Sequence, residues 1–199
     1  MKKITGIFTV FLCLFVFSGA ALAASEKWEI DKDHSNIYFD VKHTFATVRG
    51  LFNEFSGTLV LDPDNPDASS IEFTVRVASI NTNIAKRDEH LRSDDFFAAD
   101  KFPVMTFKST GVKSVKGNQY IITGNLTIKD VTKKIEVPFT YYGMKENPLK
   151  KGQMVAGFEA EFAINRLDYN VGNGQFAKMG VVGNEVRIIV TLEALDIRE

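Results

Sequence analysis

The sequence predicts an all-β domain: an extended, closed antiparallel barrel of about eight strands with a short helical insertion over about residues 83–97. Three observations predict it. Apolar and polar residues alternate with period two through most of the chain, the signature of strands with one buried face. Turn-forming clusters interrupt that alternation repeatedly. One stretch, AKRDEHLRSDDFFAADKFPVMTF at 85–107, opens instead with a dense charged run. One-sided strands need a second sheet or closure on themselves. A barrel of about eight strands removes the edges, and its interior is filled by side chains or holds one small ligand. A two-sheet sandwich is the alternative architecture.

The chain opens on Lys2 and Lys3, an almost wholly apolar run from Ile4 to Phe17, and the small-residue sequence Ala21-Leu22-Ala23. A positive start, a short apolar stretch and an A-x-A site make a secretory signal peptide. Residues 1–23 are therefore expected to be removed, leaving 24–199 as one exported domain. The run falls short of the ~20 residues that a span requires, and no later segment reaches that length, so no stable membrane span is expected. Cys13, the single cysteine, lies inside the run, so the domain has no disulfide framework. Losing Lys2 and Lys3 removes two of 24 bases against 25 acids. A slightly acidic domain lacks the clustered basic surface of a nucleic-acid binder.

The strands follow in order. In NIYFDVKH, Ile37, Phe39, Val41 and His43 share a face. A weaker segment spans 55–61. In SIEFTVRVA, Ile71, Phe73, Val75 and Val77 oppose Glu72, Thr74 and Arg76. After the charged run, Pro103 stands where a strand start tolerates proline, and Met105 and Phe107 follow. Tyr120, Ile122, Gly124, Leu126 and Ile128 form the next face, then Ile135, Val137, Phe139 and Tyr141. Met154 to Ile164 places Phe158, Ala160 and Phe162 together; Val186, Ile188, Val190 and Leu192 close the series. DPDNPDASS, KGN, KDVT and KENPLKKG separate the strands as turns. Strands on the order of 8–11 residues at ~3.3 Å each make a tall barrel.

The charged insertion reads as a helix capped by Asn81, Thr82 or Asn83, with Ile84, Leu91 and either Arg87 or Asp88 on its inner side and Phe96 and Phe97 pressed inward beyond it. Its remaining charges read as a solvated face. In INRLDYNVG, Arg166 and Asp168 lie just past a strand end. They are expected to pair with each other or with Arg87 and Asp88, tying the loop across the barrel mouth, or else Arg166 meets a polar head group. His34, His43 and His90 match no compact metal-ligand spacing. Asp33-His34-Ser35 sets triad residue types side by side, which does not make a triad in space. No metal, catalytic set or cofactor is expected. An enzyme acting on a lipid, with His43, His90 or Asp88 as base, is one alternative; a stress-protective module with a filled core is another.

Six segments together resemble the YceI-like family of polyisoprenoid- or lipid-binding proteins. They are WEIDKDHSNIYFDVKH, RGLFNEFSGTLVLD, SINTNIAKRDEHLRSDDFFAADKFPVMTFKS, GNLTIKDVTKKIEVPF, INRLDYNVG and VGNEVRIIVTLEAL, in that order from 28 to 195. The resemblance implies a lipocalin-like eight-stranded barrel around a long apolar tunnel. It also implies periplasmic binding of an amphiphile with an isoprenoid tail, such as a quinone or a polyprenyl lipid. A homodimer is left open as a partner. The expected wall for that tail is Phe39, Val41, His43, Phe73, Val75, Phe97, Met105, Phe107, Ile122, Leu126, Val137, Phe139, Tyr141, Phe158, Phe162 and Ile188. Arg87, Asp88, Arg166 and Asp168 are the expected polar mouth or latch.

Overall fold

The computed structural model describes residues 26–62 and 65–197; the signal peptide expected at 1–23 lies outside the described residues. The eight period-two segments become strands, and Ala46–Phe52 and Ile80–Asn81 add two more: β1 (Glu26–His43), β2 (Ala46–Phe52), β3 (Phe55–Leu61), β4 (Ser70–Arg76), β5 (Ile80–Asn81), β6 (Val104–Lys116), β7 (Gln119–Ile128), β8 (Val131–Glu146), β9 (Met154–Asn165) and β10 (Val182–Asp196). Two short α-helices accompany them, α1 (Ala85–Arg92) and α2 (Gln175–Lys178).

Eight of the strands close a ring in the order β1-β10-β9-β8-β7-β6-β4-β3, with β3 back against β1, and every pairing is antiparallel. The expected closed barrel of eight strands is what forms. The two further strands continue existing ones. β2 and β3 both pair with β1, at Tyr38–His43 and Glu26–Glu29 respectively, so they follow one another along it around a corner at Asn53 and Glu54. β5 carries on from β4 in the same manner and pairs with β2. The two corners hold each other: Arg76 N–H donates to Glu54 O at 2.9 Å, and Asn53 N–H to Ser79 O at 3.2 Å.

Inward and outward positions follow the alternation. In β4 the partly buried Ile71, Phe73 and Val75 alternate with exposed Ser70, Glu72, Thr74 and Arg76. Gly124 alternates with larger neighbours because Phe107 of β6 lies over it. A Cβ there would stand 2.7 Å from Phe107 Cε2 and from Lys108 O, so only glycine gives the ring its place.

The chain turns at two ends. One end carries the β6–β7 turn, the β8–β9 hairpin and the ends of β1 and β10 where Trp28 pairs with Asp196. The other carries the β1–β2 and β7–β8 turns, the insertion between β5 and β6, and residues 166–181 between β9 and β10. The insertion closes this second end as a lid.

The expected helix over 83–97 is a single eight-residue helix at 85–92, followed by turns through 101. No side chain caps it in the expected sense, and Ile84, expected inside, is about half exposed because it precedes the first turn at the rim. The anchor runs the other way. Asp88 is buried, and its Oδ1 accepts from Thr82 N–H at 2.9 Å and Thr82 Oγ1 at 2.5 Å. A helix with almost no apolar face is thus tied by Asp88 and Arg87 to Thr82, just past β5, since its charged surface gives packing little to hold. Leu91, Phe96 and Phe97 do turn inward and join the core cluster at this end.

Candidate ligand-binding site

Two clusters of buried residues occupy the barrel ends, and a cavity lies between them. At the far end Trp28 is 1% exposed, and aromatic rings stack across the strands. Tyr120 faces Phe139 at 5.3 Å between centroids, and Tyr141 faces Phe158 at 5.2 Å. At the lid end Val77, Phe96, Tyr169 and Val171 are buried with Ile80 and Phe55. The cavity amounts to about 180 Å³. Nine strands supply its wall, and the wall is aliphatic and aromatic almost throughout. Tyr38, Thr106 and Glu159 touch it from positions that alternate with the inward side chains.

Many wall residues, among them Phe39, Phe73, Val75, Phe107, Leu126, Phe162 and Ile188, are only partly buried although they face the interior. Inward side chains become fully inaccessible when a core is packed to native density. Here they border open space. Apolar cavities of roughly this size, ~150 Å³, stay dry and accept apolar guests.

Of the expected wall, Phe39, Phe73, Val75, Met105, Phe107, Ile122, Leu126, Val137, Phe139, Phe158, Phe162 and Ile188 border the cavity. Four do not. His43 is exposed and Val41 lies above the cavity, because β1 runs past the barrel rim into its hairpin with β2. Phe97 stands one layer out, edge-on to Phe52 at 6.1 Å, and Phe52 is the residue that meets the cavity. Tyr141 belongs to the aromatic seal of the far end. Ile37, Ile71, Ile128, Ala160, Val190 and Leu192, which share the inward strand faces read from the sequence, also border it, and Ile30, Phe52, Leu59 and Ala194 do so without having been expected there. Leu59 and Ala194 do continue the alternation of β3 and β10, whereas Phe52 precedes the corner, where periodicity gives no signal.

The expected latch among Arg87, Asp88, Arg166 and Asp168 is also corrected: each binds elsewhere. Arg87 donates to Thr82 Oγ1 and Thr82 O, both at 2.8 Å. Asp168 pairs with Lys133 at 2.9 Å. Arg166 is 5% exposed and donates Nε to Gly183 O at 2.8 Å and Nη1 to Val171 O at 2.6 Å, with a longer contact to Val182 O at 3.5 Å. Burial holds its guanidinium below the usual arginine range. It is a clamp on the 166–183 loop and does not border the cavity.

The lid is nevertheless tied to that loop by other groups. Lys129 Nζ, on the β7–β8 turn, donates to Phe96 O at 3.0 Å and Asn170 O at 2.7 Å. Phe96 stacks on Phe176 of α2, 6.0 Å apart and 11° from parallel, and His90 meets both rings edge-on. The three histidines stay apart. His34 Nδ1 bonds Asp31 at 2.8 Å near Glu193, where ligand-type atoms of the three residues fall within 4.8 Å of one another. His90 pairs with Asp95 at 3.1 Å.

A barrel with a helical lid over an apolar cavity can be compared with known proteins. The family model of the YceI-like domain matches residues 28–194. The chain belongs to the YceI-like family. Curated relatives in this family include a UPF0312 protein of Pectobacterium atrosepticum, 36% identical over 196 residues, and Protein YceI of Salmonella newport, 37% identical over 196; each comparison covers 98% of both chains. Among solved structures, BcnA of Burkholderia cenocepacia superposes with a TM-score of 0.74 at 28% identity, over 82% of this chain and 98% of that one. A polyisoprenoid binding domain from Saccharophagus degradans shares the fold, with a TM-score of 0.64 at 16% identity, over 85% of this chain and 98% of that one. The YceI-like barrel is therefore the frame in which the cavity sits. No helix among the described residues is long and apolar enough to cross a membrane.

Proposed function

We propose that this YceI-like protein holds one amphiphile, its apolar tail inside the barrel cavity, and carries or sequesters it in the periplasm after export. The carrying observation is the hollow apolar interior, whose inward side chains border space instead of one another. Each methylene moved from water into such a wall contributes about 0.8 kcal/mol, so one five-carbon isoprenoid unit contributes roughly 4 kcal/mol before the cost of ordering the tail. The polyisoprenoid-binding description of the Saccharophagus neighbour agrees with a tail of this class. The wall offers no charged partner that faces inward, and an unpaired charge there is very costly. The head group is accordingly uncharged, as in a quinone, or stays outside with only the tail enclosed. Among the described wall residues there is no histidine, serine or cysteine, and we take the role as binding without turnover.

The test is a lipid extract of protein purified from its own host, paired with native mass spectrometry of the intact complex. An added mass that extraction removes and identifies as an isoprenoid supports the reading. A ligand-free protein that also takes up no quinone or polyprenol from solution would rule it out.

A further inference from the structure

Among the apolar side chains exposed around the lid, two stand on adjoining segments. Phe45, at the tip of the β1–β2 hairpin, is 99% exposed, and Met179, just after α2, is 57% exposed. They are neighbours by construction. Thr44, in the left-handed region at φ 52°, donates its N–H to Val181 O at 2.9 Å, which pins the hairpin tip against the loop that follows Met179. Val182 then pairs with His43.

Single exposed hydrophobics are ordinary on protein surfaces, but the two segments that carry this pair are unusual in charge. The chain has 25 acids and 24 bases, yet residues 41–53 and 169–184 contain Lys42, Arg49 and Lys178 and no Asp or Glu. Arg49 is paired with Asp40 just outside the first segment, which leaves Lys42 and Lys178 as cations flanking the tip. Two protruding apolar groups with cations around them suit the headgroup–acyl boundary of an anionic bilayer. They are far too small a patch for a standard protein interface.

We propose that this rim docks on an anionic lipid bilayer. Phe45 and Met179 enter the boundary layer, and Lys42 and Lys178 meet the phosphates. The proposal rests on the lipid-binding reading of the cavity and names the surface from which that cavity is loaded. The rim lies at the end closed by the lid, not at the end sealed by strand-borne rings. α2 connects the two: its Phe176 stacks on Phe96 of the lid, three residues before Met179. The far end supplies an internal control, since Leu149 at the β8–β9 hairpin is 93% exposed beside Lys150 and Lys151.

The experiment is co-sedimentation of the purified protein with sucrose-loaded phosphatidylcholine vesicles, with and without phosphatidylglycerol. Phe45→Ser, Met179→Ser and Leu149→Ser are compared with wild type. Binding is expected only with phosphatidylglycerol, weakened by salt, about tenfold weaker in Phe45→Ser, weaker in Met179→Ser and unchanged in Leu149→Ser. Trp28 is the single tryptophan and is buried. A Phe45→Trp variant therefore adds an emission that is expected to shift to the blue on these vesicles. Three results overturn the proposal: no binding to anionic vesicles at low salt, loss of binding only in Leu149→Ser, or a dimer in sedimentation that Phe45→Ser dissolves while vesicle binding stays absent. Uptake of a fluorescent apolar probe from vesicle-free solution reads the cavity alone. If uptake fails while docking holds, the cavity reading falls and the rim stands.

Discussion

Arg166→Met separates the two roles that the sequence leaves open for this residue. In the fold its guanidinium donates to Gly183 O and Val171 O at 2.8 and 2.6 Å, with a weaker contact to Val182 O, at a site 5% exposed. Methionine keeps most of the volume and removes every donor. Each buried carbonyl left unsatisfied costs about 1–3 kcal/mol. Two well-made bonds therefore put the loss at about 2–6 kcal/mol. Relief of the buried cation's own desolvation offsets part of this, and the expected net is about 2–4 kcal/mol. At ~2–4 °C per kcal/mol for a domain of this size, the melting midpoint falls by about 5–15 °C. The assay is reversible urea denaturation of wild type, Arg166→Met and Arg166→Lys, with ligand uptake measured well below the transition. Lysine recovers only part of the loss, because one ammonium cannot reproduce the fork. A variant that keeps wild-type stability and loses ligand affinity would refute the clamp and restore the head-group role.

Three further outcomes are expected. Ala160→Phe puts a ring on the cavity wall, so it costs less than the ~1–3 kcal/mol typical of overpacking, and the lipid recovered by extraction falls. Lys129→Met cuts the donors that hold the lid to the 166–181 loop; amide exchange at Phe96–Ala99 accelerates about tenfold, corresponding to ~1.4 kcal/mol, while amides of β7 and β8 stay protected. Asp40→Asn reports on acid sensitivity. The hydrogen-bonded Arg49 guanidinium holds the Asp40 carboxyl below the usual carboxylate range, with Arg187 adding a smaller pull. A depressed folded value means that stability is present above the unfolded value of ~4 and is lost as pH falls through the folded one. The gap in denaturation midpoint between wild type and Asp40→Asn is therefore wide at pH 7 and closes on acidification toward pH 3. A gap that stayed constant would remove Asp40 from the acid response.

What the sequence reveals depends on how local each feature is. Phe73 and Val75, or Phe158 and Phe162, are readable as inward because alternation is a property of the strand itself. β2 escapes the same reading since only its last residues, Gly50 and Phe52, are buried; the rest stands above the barrel and has no face to hide. For the same reason His43 and Val41 look like wall positions in the sequence and are not. The polar latch is illegible for a different cause. Arg166 is satisfied by three backbone carbonyls and Asp88 by Thr82. Charge patterning suggests carboxylate–guanidinium partners, and backbone acceptors leave no mark in it.

The β1–β10 pairing has a kinetic meaning. Trp28 pairs with Asp196 and His43 with Val182, so the strand at the start of the described chain seals against the one at its end. Loop-closure entropy must be met before that contact gives anything back, and topologies dominated by such distant pairings fold slowly. Until β10 is in place the wall lacks Ile188, Val190, Leu192 and Ala194, and the apolar side chains of eight other strands stay open to water. A nascent chain thus has no compartment at all, only an unzipped hydrophobic sheet with two free edges. The interval before closure is when this protein is most exposed to aggregation.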